Sequence, residues 1–246
     1  MRFGLFQKAD GARVYSLYGT SVLCYTKRMK GESMNITIWS DFVCPFCFIG
    51  QAHLSKALEG FAGADEVQIE YRSFILSPEA KYVPGEDYYQ AFAQMKGGSV
   101  AQAREALQRV TRMGRQAGLD INYDLAKNAN TYDAHRVMQY AREQGKDGAF
   151  FNRVYRAYFS EGEVISDHPT LLRLAREAGL EEEKVRDILA SDAFGEQVEQ
   201  DLARSRAVGV SAVPFFVFED KYVMSGAQPP ESIRQALEKV WDERTA

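Results

Sequence analysis

The 246-residue chain is poor in cysteine, with only Cys24, Cys44 and Cys47. A small, odd count excludes the disulfide framework that holds small secreted domains together. Histidine is equally scarce: His53, His135 and His168 are the only three. A zinc site around Cys44 and Cys47 needs four ligands, and no recognisable spacing joins these histidines or Cys24 to the pair, so no metal is expected. No apolar run approaches the roughly 18 residues of a membrane-spanning helix, and no membrane partner is expected. Neither sign of charge dominates, since 30 Lys and Arg stand against 34 Asp and Glu. The basic residues are scattered, which argues against nucleic acid as a partner. No Gly-x-Gly-x-x-Gly follows a strand pattern, so NAD and flavin are not expected either. Internal repeats and low-complexity tracts are absent.

What remains is ordinary globular composition, 46% hydrophobic and 26% charged, enough for one large domain or two small ones. The first 33 residues differ from the rest. Six basic residues there (Arg2, Lys8, Arg13, Lys27, Arg28, Lys30) face only Asp10 and Glu32. The most apolar stretch, residues 15–25, is broken by Ser16, Gly19, Thr20 and Ser21, a poor match to an export signal. Residues 1–33 are expected to be an irregular extension. Met34, directly before the first strand pattern, is a second candidate start.

Ile36 to Trp39 has strand character, and Ser40 to Val43 is the expected turn into a helix. From Cys47 the helical stripe runs through Leu54, Leu58 and Phe61, with Gly60 and Gly63 as its stop. Val67, Ile69 and Tyr71 alternate with polar residues as in a half-buried strand. After Ser77-Pro78 and Pro84-Gly85 the pattern turns helical. Stripes begin near Val100, after Thr131, at Asp147, at Asp167 and around Val185, with Asp192 as a cap for the next. Strand character returns at Phe215 to Phe218, pairs back through Tyr222 to Met224 across a Glu219-Asp220 turn, and gives way to a last helix after Pro229-Pro230. The order predicts an α/β fold: one sheet domain, residues 34–76 and 195–246, split by a helical block over 77–194.

The chemistry centres on Cys44-Pro45-Phe46-Cys47, at a strand–helix seam. A cysteine at the helix start meets the positive end of the macrodipole and unpaired backbone N–H groups, which favour thiolate over thiol. Cys47 lies one turn on, facing the core. This reading makes an exposed Cys44 the nucleophile and Cys47 the resolving thiol. Pro45 suits the first helical turn, where its missing N–H costs nothing. A single CxxC in a chain otherwise poor in cysteine also points to a reducing compartment. A second feature is Ser211-Ala212-Val213-Pro214-Phe215-Phe216, where a proline opens an apolar strand. His135 reads as a structural histidine more readily than a site residue, His53 as a surface one, and Phe46 as part of a binding surface or as a residue that only tunes the cysteines.

The Asp41-Phe42-Val43-Cys44-Pro45-Phe46-Cys47 segment between strand and helix resembles the DsbA-like branch of the thioredoxin superfamily. The stretch from Gly209 to Phe216 matches that family's cis-proline loop, and Asn130-Thr131 with Ala134-His135 resembles a motif of its inserted helical domain. Taken together, these are most similar to FrnE-like dithiol oxidoreductases, cytoplasmic relatives of the secreted enzymes. The resemblance runs from Met34 to the C-terminus. It implies a thioredoxin fold with a large helical insertion between the second strand and the cis-proline strand. It further implies that Pro214 is cis and faces the cysteines, and that Val213 offers backbone hydrogen bonds to an extended substrate. Protein or small-molecule thiols and disulfides are the expected partners of a cytoplasmic monomer or homodimer. No bound cofactor is expected, with glutathione as the one co-substrate to consider. The same branch holds hydroxychromene-carboxylate isomerases and kappa-class glutathione transferases, in which a serine typically stands at the position of Cys44. A glutathione-dependent isomerase or transferase is therefore the alternative. A binding or chaperone module, needing neither cysteine, is a third reading.

Overall fold

The computed structural model describes residues 7–8 and 33–245. Five strands form one sheet: β1 (Gln7–Lys8), β2 (Met34–Ser40), β3 (Val67–Ser73), β4 (Phe215–Phe218) and β5 (Tyr222–Ser225). Their spatial order is β1-β5-β4-β2-β3. The parallel β2–β3 pair aligns Met34 with Val67 and Ser40 with Ser73, whereas β4 runs antiparallel to β2 with Phe215 opposite Trp39. The pair β4–β5 is a hairpin, in which Glu219 and Asp220 both take a positive φ of 53° and Lys221 N–H donates to the Phe218 carbonyl at 3.0 Å. Four of these strands lie where the sequence patterns put them. The fifth, β1, pairs Gln7 and Lys8 with Val223 and Tyr222. The expectation of an irregular extension otherwise falls on residues outside those described.

Between β2 and β3 runs α1 (Pro45–Leu58), and the chain closes with α9 (Pro230–Thr245), packed against α1. Seven helices separate β3 from β4: α2 (Tyr88–Lys96), α3 (Val100–Gln116), α4 (Tyr132–Glu143), α5 (Asp147–Phe159), α6 (His168–Glu177), α7 (Glu182–Leu189) and α8 (Gly195–Val208). All four residues of β4 are buried, as a continuous apolar run demands of a central strand. Helices α4, α5 and α8 pack against β3 and close its free edge with side chains. Tyr71 N–H donates to the Asp147 carboxylate at 3.3 Å, and Ser73 N–H to that of Asp201 at 3.0 Å. Arg142 donates to the Tyr71 carbonyl at 3.4 Å. An edge strand whose main-chain groups are taken in this way is no template for another chain.

Asp201 is 1% exposed and anchors the joint. Its carboxylate also pairs with Arg72 at 2.7 Å and accepts from the Gln139 amide at 2.7 Å. Its backbone carbonyl accepts from the Trp39 indole at 3.2 Å. A buried carboxylate persists because it is paired and hydrogen-bonded on both oxygens. This network fixes α4 and α8 against the sheet end that carries the cysteines.

Candidate active site

Leaving β2, the chain turns so that Cys44 N–H donates to the Asp41 carbonyl at 3.1 Å. Cys44 is then the N-cap of α1, in extended backbone (φ −88°, ψ 110°), with no side chain capping the helix. Pro45 holds the first helical position. Sequence reasoning placed both residues correctly, because an N-cap must be non-helical and a proline is tolerated just inside it.

Across the sheet end stands the loop before β4. The Val213–Pro214 bond is cis. Cys44 donates its S–H to the Val213 carbonyl at 3.6 Å. The Pro214 ring packs on Gly50 of α1, where a Cβ would lie 2.8 Å from the ring Cγ. The Pro214 carbonyl accepts from Gly226 N–H at 2.8 Å, tying the loop to the end of β5. Residues 169 positions apart therefore meet at one sulfur. Phe46, 39% exposed, lies beside the pair in sequence and stays open to solvent.

The expected exposure of Cys44 is corrected: Cys44 is 4% exposed and Cys47 2%. The Val213 carbonyl covers the first sulfur. Burial first pushes the phenols of Tyr88, at the start of α2, and of Tyr123 up; the charge of Cys44 adds to this at both, after that of Tyr88 in the case of Tyr123. Periodicity cannot foresee cover supplied by distant segments. Burial pushes the Cys47 thiol well up, helped by its hydrogen bond to Cys44 and the charge of Cys44, and opposed by hydrogen bonds from Ser40 and the Asp41 backbone.

Asp41, Ser40 and Tyr155 were given no role at the site from sequence, and His135 was read as structural. Asp41 is fully buried, with one carboxylate oxygen accepting from Leu76 N–H at 2.8 Å and the other 3.3 Å from His135 Nε2. His135, on α4, is likewise fully buried, its ring tilted on Phe42 at 4.8 Å, and its Nδ1 has no hydrogen-bond partner among the described residues. It thus reaches the turn before Cys44, while His53 bonds the Gln228 carbonyl at 2.8 Å. Ser40, read as turn, is the buried end of β2, and Tyr155, read as core, turns its hydroxyl to Ser40 at 2.8 Å. A polar pair two residues short of a CxxC, between the strand pattern and the helix, was the available signal for Ser40 and Asp41. No group of metal-ligating side chains occurs among the described residues, nor any helix long and apolar enough to cross a membrane.

Residues 35–238 match the family model of the DsbA-like thioredoxin domain. The chain belongs to that family. Within its fold, the chain is similar to the probable DsbA oxidoreductase SCO1869 from Streptomyces coelicolor, with 34% identity and a TM-score of 0.80 over 87% of this chain and 92% of that one. Bacillus subtilis has a relative, the uncharacterized protein YwbO, 26% identical over 83% of this chain and 96% of its own. The cytosolic disulfide reductase DsbM from Pseudomonas aeruginosa, solved with GSH, shares the fold at a TM-score of 0.60 and 18% identity, covering 83% of this chain and 98% of that one. Membership of the DsbA-like family brings thiol–disulfide chemistry and thiol or disulfide substrates to a chain in which Cys44 and Cys47 stand together at the helix start.

Proposed function

We propose that the protein is a thiol–disulfide oxidoreductase in which Cys44 is the nucleophile and Cys47 the resolving thiol. The observation that carries this reading is the position of Cys44. It is the N-cap of α1, and its sulfur sits 3.6 Å from the carbonyl of the residue before the cis-proline. In the reducing direction the Cys44 thiolate attacks one sulfur of a substrate disulfide. That bond breaks, a mixed disulfide forms on Cys44, and the leaving substrate thiolate takes up a proton. Cys47 then attacks the Cys44 sulfur and releases the second substrate thiol, so the substrate gains two electrons and the protein holds a Cys44–Cys47 disulfide. Oxidation of a dithiol is the reverse.

Val213 and Pro214 offer main-chain contacts to an extended substrate, and Phe46 an apolar one. No bound cofactor is invoked, and glutathione or a protein thiol returns the pair to its starting state. The DsbM fold was solved with GSH and is named cytosolic; a cytoplasmic setting for this protein accords with that and with its sparse cysteine. The glutathione-dependent isomerase or transferase reading is weaker here because both cysteines are kept where that branch typically has a serine.

The test is trapping. In Cys47→Ser, a disulfide substrate leaves a stable mixed disulfide on Cys44, seen by mass spectrometry of the intact chain and lost on reduction. Turnover of a disulfide substrate by Cys44→Ala at the wild-type rate would refute the assignment.

A further inference from the structure

His135 lies in the first turn of α4, and the chemistry given above makes no use of it. Its Nε2 is 3.3 Å from Asp41 Oδ1, and both side chains are fully buried. The other oxygen of that carboxylate, Oδ2, accepts from Leu76 N–H at 2.8 Å. The main chain of the same residue holds the cysteine turn, where the Asp41 carbonyl accepts from Cys44 N–H at 3.1 Å. One residue therefore joins α4, the chain that follows β3 and the N-cap of α1. Two flanking bonds brace the joint. Phe74 N–H donates to the Ser40 carbonyl at 3.1 Å, and Asn130, just before α4, donates its amide to the Pro78 carbonyl at 2.5 Å.

A carboxylate oxygen offers only lone pairs, so the ring nitrogen that faces it carries the hydrogen. Nε2 is thus the donor, and Nδ1, with no partner among the described residues, is the bare nitrogen. Aromatic packing fixes the ring. It lies 4.8 Å from Phe42 and 6.3 Å from Phe151, and those two rings stack on each other at 4.2 Å. Bulk water cannot replace a donor lost to a fully buried carboxylate. Without His135 the Asp41 side chain would turn toward a new donor and draw its own main chain with it.

We propose that His135 is a positioning residue for Cys44, acting through Asp41. By holding the carboxylate it holds the carbonyl that takes Cys44 N–H, and so keeps the Cys44 sulfur over the first N–H groups of α1, where the thiolate is favoured. The proposal rests on the function given above and adds the residue that keeps its nucleophile in place. In the step it serves, the Cys44 thiolate attacks one sulfur of a disulfide such as oxidised glutathione. The glutathione S–S bond breaks, and its electron pair leaves on a glutathione thiolate that takes up a proton. Cys44 is oxidised in the mixed disulfide and the departing glutathione reduced, with no outside oxidant. His135 keeps its Nε2 hydrogen throughout.

His135→Leu removes the donor at similar volume, and His135→Gln returns an N–H near the position of Nε2. Both are tested in the full chain with Cys47→Ser, in which the mixed disulfide accumulates. The readouts are the rate at which oxidised glutathione adds to Cys44 at neutral pH, and hydrogen exchange at the Cys44 and Leu76 amides. His135→Leu is expected to slow the addition about tenfold, the effect of one hydrogen bond to a charged group, and to speed exchange at both amides. His135→Gln should return both toward wild type, a rescue that lost packing alone would not give. Should His135→Leu not fold, His135→Asn, whose shorter amide stops short of Asp41, decides in its place. Wild-type addition and exchange in the folded His135→Leu protein, or a His135→Gln protein as slow as His135→Leu, overturns the positioning role and leaves the proposed function standing. Failure of Cys44 to form a mixed disulfide with His135 intact overturns both.

Discussion

Replacing Gly50 by alanine tests the contact that sets the cysteine helix against the proline loop. In the interior of a helix this change ordinarily stabilises by about 1 kcal/mol, because glycine loses more backbone freedom on folding. At Gly50 the added Cβ meets Pro214 Cγ at 2.8 Å, Phe216 Cζ at 3.4 Å and Pro214 Cβ at 3.6 Å. Carbon pairs prefer roughly 3.5–4.0 Å, and a buried proline ring in the loop before β4 has no rotamer by which to withdraw. Overpacking of that kind costs about 1–3 kcal/mol, which outweighs the helix gain. The expected net is a loss of about 1 kcal/mol, a fall in Tm of about 2–4 °C for a chain this size. Gly148 is the control: on α5, its nearest neighbour to an added Cβ is Tyr71 at 3.8 Å, an ordinary contact. Gly148→Ala should therefore raise Tm while Gly50→Ala lowers it, read side by side by calorimetry on the reduced protein. Separation of α1 from the loop also weakens the Cys44–Val213 contact, so Cys44 in Gly50→Ala should alkylate faster. A Tm raised equally by both substitutions would refute the tight packing of α1 on Pro214.

Other outcomes follow from the same geometry. Asp201→Ala leaves the Ser73 N–H without its acceptor and takes one of two from Arg72, which keeps Glu70, and from Gln139, which keeps the Ser73 hydroxyl; chemical denaturation should show a loss of about 3 kcal/mol, the low end for breaking a buried pair. For pH, Cys47 in the folded state binds its proton more tightly than a free thiol does. Above about pH 8.5 the unfolded chain releases a proton that the folded chain keeps, so stability is full below that point and falls by up to about 1.4 kcal/mol per pH unit as pH rises toward the folded midpoint. Denaturation of the reduced protein at a series of pH values should show this slope, and Cys47→Ser should lose it. Phe46→Ala should leave Tm within about 1 °C, as its ring is partly exposed, yet lower kcat/KM several-fold for a peptide disulfide and much less for a small one. Equal effects on both substrates would remove Phe46 from the binding surface.

The sheet and the cysteine turn were legible because their signals are local. Alternation marked β2 and β3, a four-residue apolar run marked β4, and Pro45 just inside a helix marked the N-cap. Where several groups compete for one end, the local signal misled. Thr131 does precede α4, but its hydroxyl caps nothing; the Asn130 side chain accepts from Tyr132 N–H at 2.8 Å instead. Asp147 lies in the first turn of α5 rather than at its cap, and its carboxylate serves the Tyr71 N–H on the sheet edge. Asp192 does not cap α8, which starts after Phe194 at φ 65°. Helix α2, capped by Asp87, was not separately foreseen, since its short apolar pattern follows turn residues without a break. The site partners were hidden for a related reason. Tyr155 has the spacing of a core residue and is one; only the fold shows that its hydroxyl ends beside Ser40, 115 residues earlier.

Equilibration of the full-length protein in glutathione redox buffers, followed by mass spectrometry, tests the central claim most directly. The account predicts a two-electron transition in which the chain loses two hydrogens, mapped to one peptide joining Cys44 to Cys47. Persistence of the reduced pair in every buffer, or a glutathione adduct that never resolves to the Cys44–Cys47 disulfide, would contradict it.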